Sequence, residues 1–339
     1  MQRTVIGLDV GHSAVKVVAY SRLGRSEVMF PTFVTPAIAI TGDPNEKAKC
    51  DQETVVVDGS AYFFGDSAAA QGRMKNVVGL NADWIETPEY RALMLGAMRK
   101  LTDLGVPGLA EPMIVVGLPA ASYGHRKDQL KKIVADLFPG CETMAQQQPA
   151  GALWAHILHD TGAPRREYNL PEQRWGVVEV GHFTTDFLLM SLGRFIQAPS
   201  GSPPGVSTAV DYLVQSLHQA GIMASPEIAM NAMKHNFIII KGERRDVSEA
   251  VAAASNLIAQ SIIDESRKRF GEEVDFMDGV VVAGGGASLI IDRLQELGWT
   301  HAKIADTPTS KPRFSVAEGF ARYGNGMLLI EQQQARKRA

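Results

Sequence analysis

The chain predicts an α/β fold in two lobes, and three observations carry that prediction. Its 339 residues exceed the roughly 250–300 that one hydrophobic core organises. Strand-like apolar runs alternate with amphipathic helical stretches along nearly the whole length, the pattern of sheets flanked by helices. One short unit also recurs: Ile6-Gly7-Leu8-Asp9-Val10-Gly11-His12 returns as Val177-Val178-Glu179-Val180-Gly181-His182, an apolar strand, an acid, Val-Gly-His, then a second apolar strand. Gly11 and Gly181 stand 170 positions apart, close to half the chain. The halves therefore read as an internal duplication.

Taken in order, residues 4–9 read as a strand, Gly11-His12-Ser13 as a turn, and the valine-rich residues 14–20 as the returning partner. A third strand is expected near residues 27–30. Residues 42–53 combine turn formers with charge and few apolar side chains, so an exposed loop is expected there, with contact to another molecule as its use. Val55-Val56-Val57, Asp58-Gly59 and Tyr62-Phe63-Phe64 carry a hairpin signal. Residues 88–104 have helical spacing with Pro88 at the start; 113–116 read as a buried strand, 122–138 as an amphipathic helix and 150–159 as another.

The polar stretch 164–174 is the expected boundary. Beyond it, helices are expected at about 205–220, 247–270, 288–297 and 316–330, with a strand at 279–283 running into Gly284-Gly285-Gly286. Arg336-Lys337-Arg338 reads as a frayed tail. The expected lobes are residues 1–165, with a small subdomain at about 32–75 and a returning C-terminal helix at 314–339, and residues 166–313.

Composition removes several function classes. Lys+Arg 34 against Asp+Glu 37 leaves a net charge of −3, so direct nucleic-acid binding is not expected. Hydrophobic residues at 45% and charged residues at 21% exclude a disordered chain. Cys50 and Cys141 lie 91 positions apart without C-x-x-C spacing, which fits a reduced, cytoplasmic setting rather than a zinc or redox pair. The first apolar run contains Asp9, unlike a signal peptide, and no run approaches the ~18–20 residues of a membrane helix. No membrane partner is expected.

The repeated unit has a chemical use. A tight turn between antiparallel strands aims backbone N–H groups in one direction, and glycine lets an anion approach without a Cβ in the way. Two such turns grip a polyphosphate, and the acid before each, Asp9 or Glu179, then tolerates the phosphates only with a divalent cation between them, a role that suits hydrated Mg²⁺. Lys16, inside an apolar run, is a natural phosphate counter-charge. Gly284-Gly285-Gly286 ends a strand and opens a helix, where backbone amides meet nucleotides in α/β folds. Neither G-x-G-x-x-G nor G-x-x-x-x-G-K-[ST] supplies an alternative phosphate loop here.

These residues carry a resemblance. Asp9-Val-Gly11-His12-Ser13 with Lys16 resembles the first phosphate loop of the actin, heat-shock chaperone and sugar-kinase superfamily. Glu179-Val-Gly181-His182-Phe183-Thr184 with Asp186 resembles the second, and Val280 to Leu289, containing Gly284, Gly285, Gly286 and Ser288, resembles its adenosine motif. Within that superfamily the chain looks most like the actin-like ATPases of the ParM/StbA plasmid-segregation type and their archaeal relatives, in its length, its Val115-Val-Gly-Leu-Pro119 strand end and its late segment at 319–328.

The resemblance implies a nucleotide, ATP or ADP with Mg²⁺, in a cleft between the lobes. It makes Asp9 the acid on the magnesium water shell and Lys16 a phosphate ligand. Glu179 takes the place of an aspartate that orients waters, one methylene longer than the family's residue, and Asp186 matches an acid after the second loop. A glutamine before the helix leaving the first lobe should position the attacking water. Proline at 149 favours Gln148, with Gln146 and Gln147 as alternatives. Glu265 and Lys268 resemble a Glu-x-x-Lys that contacts ribose and adenine, and also read as a surface ion pair. The implied function is slow ATP hydrolysis coupled to filament assembly from copies of the chain, with a DNA-bound adaptor protein as partner in plasmid segregation. A small-molecule, sugar-type kinase and a monomeric nucleotide switch are the competing classes on the same fold.

Overall fold

The computed structural model describes residues 3–72, 83–196, 203–309 and 311–338. An antiparallel meander opens the chain: β1 (Val5–Val10), β2 (Ala14–Ser21) and β3 (Gly24–Pro31). β1 is buried on both faces, which is why it reads as a continuous apolar run. Ile6, Leu8 and Val10 join the core, whereas Gly7 meets the backbone at Ala317, where a Cβ would not fit.

A small three-stranded sheet follows, built from β4 (Val34–Pro36), β5 (Thr54–Val57) and β6 (Ser60–Phe64) with α1 (Pro44–Gln52) between β4 and β5 and α2 (Gly65–Gln71) after β6. The expected hairpin turns at Asp58 (φ 50°) and Gly59 (φ 79°). Residues 42–53 are not a loop. Asp43 caps α1 by accepting from the Asn45 N–H at 2.8 Å, and Pro44 sits in the first turn, where its missing N–H is harmless. Cys50 seats this helix beside Phe63 and Ala68, and Glu53 is buried against Lys100 at 2.6 Å and the Ser67 N–H at 2.7 Å. Of the expected small subdomain, residues 73–75 lie outside the described residues.

α3 (Pro88–Asp103), capped by Thr87, β7 (Met113–Leu118), α4 (Ala120–Leu137), β8 (Glu142–Gln147) and α5 (Gln148–Ile157) complete the first half. β8 was not expected, and α5 begins two residues before the expected helix. The sheet order is β3-β2-β1-β7-β8, with β7 and β8 parallel to β1.

The second half repeats the plan with β9 (Arg174–Val180), β10 (Thr185–Ser191) and β11 (Arg194–Ile196), then α6 (Val206–Gln219), α7 (Pro226–His235), the hairpin β12 (Phe237–Ile240) and β13 (Glu243–Asp246), and α8 (Ser248–Phe270). A 3₁₀ turn (Gly271–Phe276), β14 (Gly279–Ala283), α9 (Ala287–Glu296), β15 (Ala302–Ile304) and α10 (Ser315–Arg338) end the chain. The order β11-β10-β9-β14-β15 matches the first sheet strand for strand, with the same mix of antiparallel and parallel pairs. Sequence reading missed α7, the β12–β13 hairpin and β15.

Two compact units result: Met1–Arg165 with Val316–Ala339, and Arg166–Ser315. α10 is locked into the first by a buried charge cluster. Glu318 accepts from the Tyr20 hydroxyl at 2.5 Å, Arg25 at 2.9 Å and Arg322 at 2.8 Å, and Arg322 also reaches the Ala155 and Leu158 carbonyls. The helix continues to Arg338, so the basic end is helical rather than a frayed tail. Among the described residues no helix is long and apolar enough to cross a membrane.

Candidate functional site

In the first unit, strand register sets Asp9 opposite Lys16 across the β1–β2 pair. Asp9 is only 3% exposed, and a carboxylate so buried needs charged or dipolar partners. It has two: Lys16 Nζ donates to Oδ2 at 3.0 Å and Gln148 Nε2 donates to Oδ1 at 2.9 Å. Gln148 is delivered by the β8–α5 junction, as the first residue of a helix whose Gly151 packs against Phe320 of α10.

The turn beside Asp9 is held from outside. Gly11 N–H donates to the Ala14 carbonyl at 3.2 Å, the Thr32 hydroxyl donates to the Gly11 carbonyl at 2.6 Å, and Thr32 N–H donates to the Ser13 carbonyl at 3.2 Å. Because a trans peptide sets its N–H opposite its C=O, the His12 N–H points away from Thr32. A Cβ on Gly11 would come within 2.8 Å of Lys16 Nζ, so glycine keeps the lysine beside the turn. The His12 ring stacks on Trp84 at 4.8 Å, and Trp84 meets Tyr90 edge-on at 5.2 Å. Burial, and then the charge of Asp9, push the Tyr90 hydroxyl above its ordinary value.

The second unit repeats this geometry residue by residue. Glu179 pairs with Asp186 where Asp9 pairs with Lys16, and Gly181 N–H donates to the Thr184 carbonyl at 2.9 Å. The carbonyls of this turn cap α6: Gly181 accepts from Val206 N–H at 3.0 Å, His182 from Ser207 N–H at 2.8 Å, and Phe183 from Gly205 N–H at 2.9 Å. The N–H groups of His182 and Phe183 consequently face away from α6, with the positive helix end behind them. Burial holds the His182 imidazole below its ordinary value against the pull of Asp211.

The triple glycine wraps the end of the same sheet. Ala283 pairs with Glu179 in parallel register. Gly284 has φ +84°, and a Cβ there would strike the Val180 carbonyl and come within 3.0 Å of Glu179 Oε1. Gly286 N–H donates to the Val180 carbonyl at 3.0 Å, and a Cβ on it would meet Val206 at 2.5 Å. Gly285 faces open space, and Ser288 is exposed in the first turn of α9.

The structure thus gathers Asp9, Lys16, Gln148, Gly11, His12 and Ser13 in one unit. In the other it gathers Glu179, Asp186, Gly181, His182, Phe183, Thr184 and the three glycines. Glu265 and Lys268 stand on α8, bonded to each other at 3.1 Å, with Lys268 76% exposed. Glu265 also reaches Arg269 at 3.4 Å and lines a groove of about 630 Å³ with Tyr212, Asn256 and Gln260. Sequence reading missed Thr32 and Trp84, which nothing local marks; it placed a helix start at about Gly205 but not the bond of Gly205 to the Phe183 carbonyl.

A hydrated Mg²⁺ suits this donor set. Among the described residues no three His, Cys, Asp or Glu side chains are grouped to hold an ion. The protein offers single carboxylates beside amide-lined turns, which fits an ion coordinated mainly by water and phosphate oxygen.

Duplicated five-stranded sheets, each opening on an acid-bearing hairpin turn, define the actin fold class. Within that class two stretches match actin-like models: residues 7–138 match the model described as actin like proteins N terminal domain, and residues 177–296 match archaeal actin homologue MreB-like, C-terminal. It is 26% identical over 125 residues to an archaeal actin homolog of Thermoplasma acidophilum, a match covering 36% of this chain and 38% of that one. Its fold matches a 15-stranded ParM filament from Clostridium botulinum with TM-score 0.69 and 18% identity over 96% of this chain and 99% of that one. It also matches an archaeal actin homolog in complex with ADP, with TM-score 0.66 and 20% identity over 94% and 98%.

Proposed function

We propose that the chain is a slow, Mg²⁺-dependent ATPase whose nucleotide state governs assembly of its own copies into filaments, and that these filaments segregate plasmid DNA through a DNA-bound adaptor. The observation that carries the ATPase reading is the position of Gln148. With its amide nitrogen engaged by Asp9 at 2.9 Å, its carbonyl oxygen is left to accept from a water. An amide neither takes nor gives a proton near neutral pH, so Gln148 orients that water without deprotonating it, and turnover is slow. Lys16 and the turn amides at His12, His182 and Phe183 hold phosphate oxygens. Asp9 would hold the water shell of Mg²⁺, which when bound neutralises phosphate charge. Glu179 and Asp186 orient water, and Gly284, Gly285, Gly286 and Ser288 take the adenosine, with Glu265 and Lys268 on its ribose.

Support for assembly comes from the family and from the ParM filament whose fold the chain shares. The direct test is ATP turnover by phosphate release, run beside sedimentation with ATP, ADP and no nucleotide. Turnover at background level would refute the enzyme, and sedimentation unaffected by nucleotide would refute the coupling.

A further inference from the structure

Two unassigned features of the second unit stand at opposite ends of one helix. At the start of α8 a cleft of about 330 Å³ opens between His235, Phe237, Arg244, Asp246 and Ser248. Register pairs Phe237 with Asp246 and Ile239 with Arg244, so these side chains share the outer face of the β12–β13 hairpin, while Ile238 turns into the core. The Arg244 guanidinium lies 3.6 Å over the Phe237 ring, and Ile239 beside it is 69% exposed. Lys234, in the last turn of α7, and Lys241, in the hairpin turn, are exposed nearby in the chain.

At the other end, α8 runs into the 3₁₀ turn Gly271–Phe276, which carries Glu272, Glu273 and Asp275. Val274 anchors the turn in the core and leaves Phe276 65% exposed. Glu273 pairs with Arg174 and Asp275 with Arg267, both at 3.1 Å, whereas Glu272 is exposed and makes no ion pair among the described residues.

The 23 residues of α8 separate the two features by about 34 Å at the helical rise of 1.5 Å per residue. One copy cannot bring its own Phe276 to its own cleft. Between copies the two fit: an outstanding aromatic ring with an acid beside it, and a cleft lined by Phe237 and Arg244, with Asp246 the one acid in its lining. An apolar residue that finds a different surface on the next copy makes a heterologous contact, which propagates along an open chain of subunits unless it closes into a ring.

We propose that Phe276 of one copy enters the Phe237–Arg244 cleft of the next, with Glu272 meeting Arg244, and that this head-to-tail contact builds the polymer. The contact rests on the filament reading above and supplies its partner surfaces. The aromatic ring is the anchor at the centre, and the charges set orientation and encounter rate.

Phe276→Ser, Arg244→Glu and Glu272→Arg change exposed side chains, so each should fold with an unchanged circular dichroism spectrum and unchanged affinity for a fluorescent ATP analogue. Sedimentation against protein concentration, with and without Mg·ATP, reads the assembly threshold. Phe276→Ser should raise it about tenfold or more, the loss typical of an anchor residue. Arg244→Glu and Glu272→Arg should each raise it, and the double variant should bring it back toward wild type. A threshold unmoved by Phe276→Ser, a double variant no better than the worse single, or a wild-type chain that never assembles overturns the contact. Loss of analogue binding by wild type overturns the ATPase reading alone, because the nucleotide-free arm still measures assembly.

Discussion

Gln148 and Asp9 stand 139 positions apart in the chain, yet the Gln148 amide donates to Asp9 Oδ1 at 2.9 Å in the buried interior of the first unit. Lys16 holds the other carboxylate oxygen at 3.0 Å. Each oxygen of one acid therefore has its own donor, one charged and one neutral, and the consequences of removing either differ.

Removing the neutral donor should separate binding from turnover. Gln148→Ala is expected to retain ATP affinity and to lower hydrolysis about 10²-fold, the scale of one lost positioning or oxyanion group. Any filaments should last longer. Single-turnover phosphate release beside an equilibrium titration checks this, and unchanged release would move the role to Gln146, Gln147 or another group.

Removing the acid leaves both donors without their partner. Asp9→Ala should cost about 1–3 kcal/mol of stability and abolish hydrolysis. It should also weaken binding of Mg·ATP more than binding of ATP in chelator. Equal losses in the two titrations would contradict a role through the metal's water shell.

The triple glycine offers an internal control. Gly284→Ala must relieve both a positive φ and a collision with the Val180 carbonyl, at a cost of about 1–3 kcal/mol. Gly285→Ala meets open space and should leave the thermal midpoint where it is. A fall in nucleotide affinity at Gly285 with stability unchanged would therefore read a ligand contact directly; unchanged affinity would take Gly285 out of the adenosine site.

The helix found at α1 makes a pH prediction through Glu53. Burial alone would raise this carboxyl, but the bonds from Lys100 and the Ser67 N–H outweigh burial and hold it below its ordinary value. A depressed carboxylate adds stability that is complete above the unfolded value of about 4.3 and lost as pH falls through the lower folded value. Glu53→Gln should accordingly melt below wild type at pH 7, with the gap closing as pH drops below about 4. A gap independent of pH would mean that packing, not charge, sets the loss.

The amino-acid sequence by itself determined the duplicated sheet plan, both acid-bearing turns and the glycine-rich strand end. Each of these is written in consecutive residues. A strand buried on both faces reads as an apolar run, as at β14 and, apart from Asp9, at β1, and a turn that brings amides together favours glycine close by. The same local grammar was ambiguous at residues 42–53, because Asp-Pro-Asn serves a turn and a helix start equally well. Burial of Cys50 beside Phe63 and Ala68 decided for the helix. The turn at Lys241-Gly242, with φ of 50° and 86°, was a legible hairpin signal passed over. Only tertiary structure decided which of three successive glutamines reaches Asp9. Gln146 and Gln147 end β8 opposite Gly117 and Leu118 with half-buried side chains, Gln146 bonding Tyr323, and the Gln148 side chain, buried at the head of α5, is the one bonded to Asp9. It likewise decided that Thr32 and Trp84 brace the first turn, and that Phe276 and the Phe237–Arg244 cleft stand at opposite ends of α8. Those partnerships join residues that no local period links, so they exist only after the chain has closed its long loops and the core has selected which side chains meet.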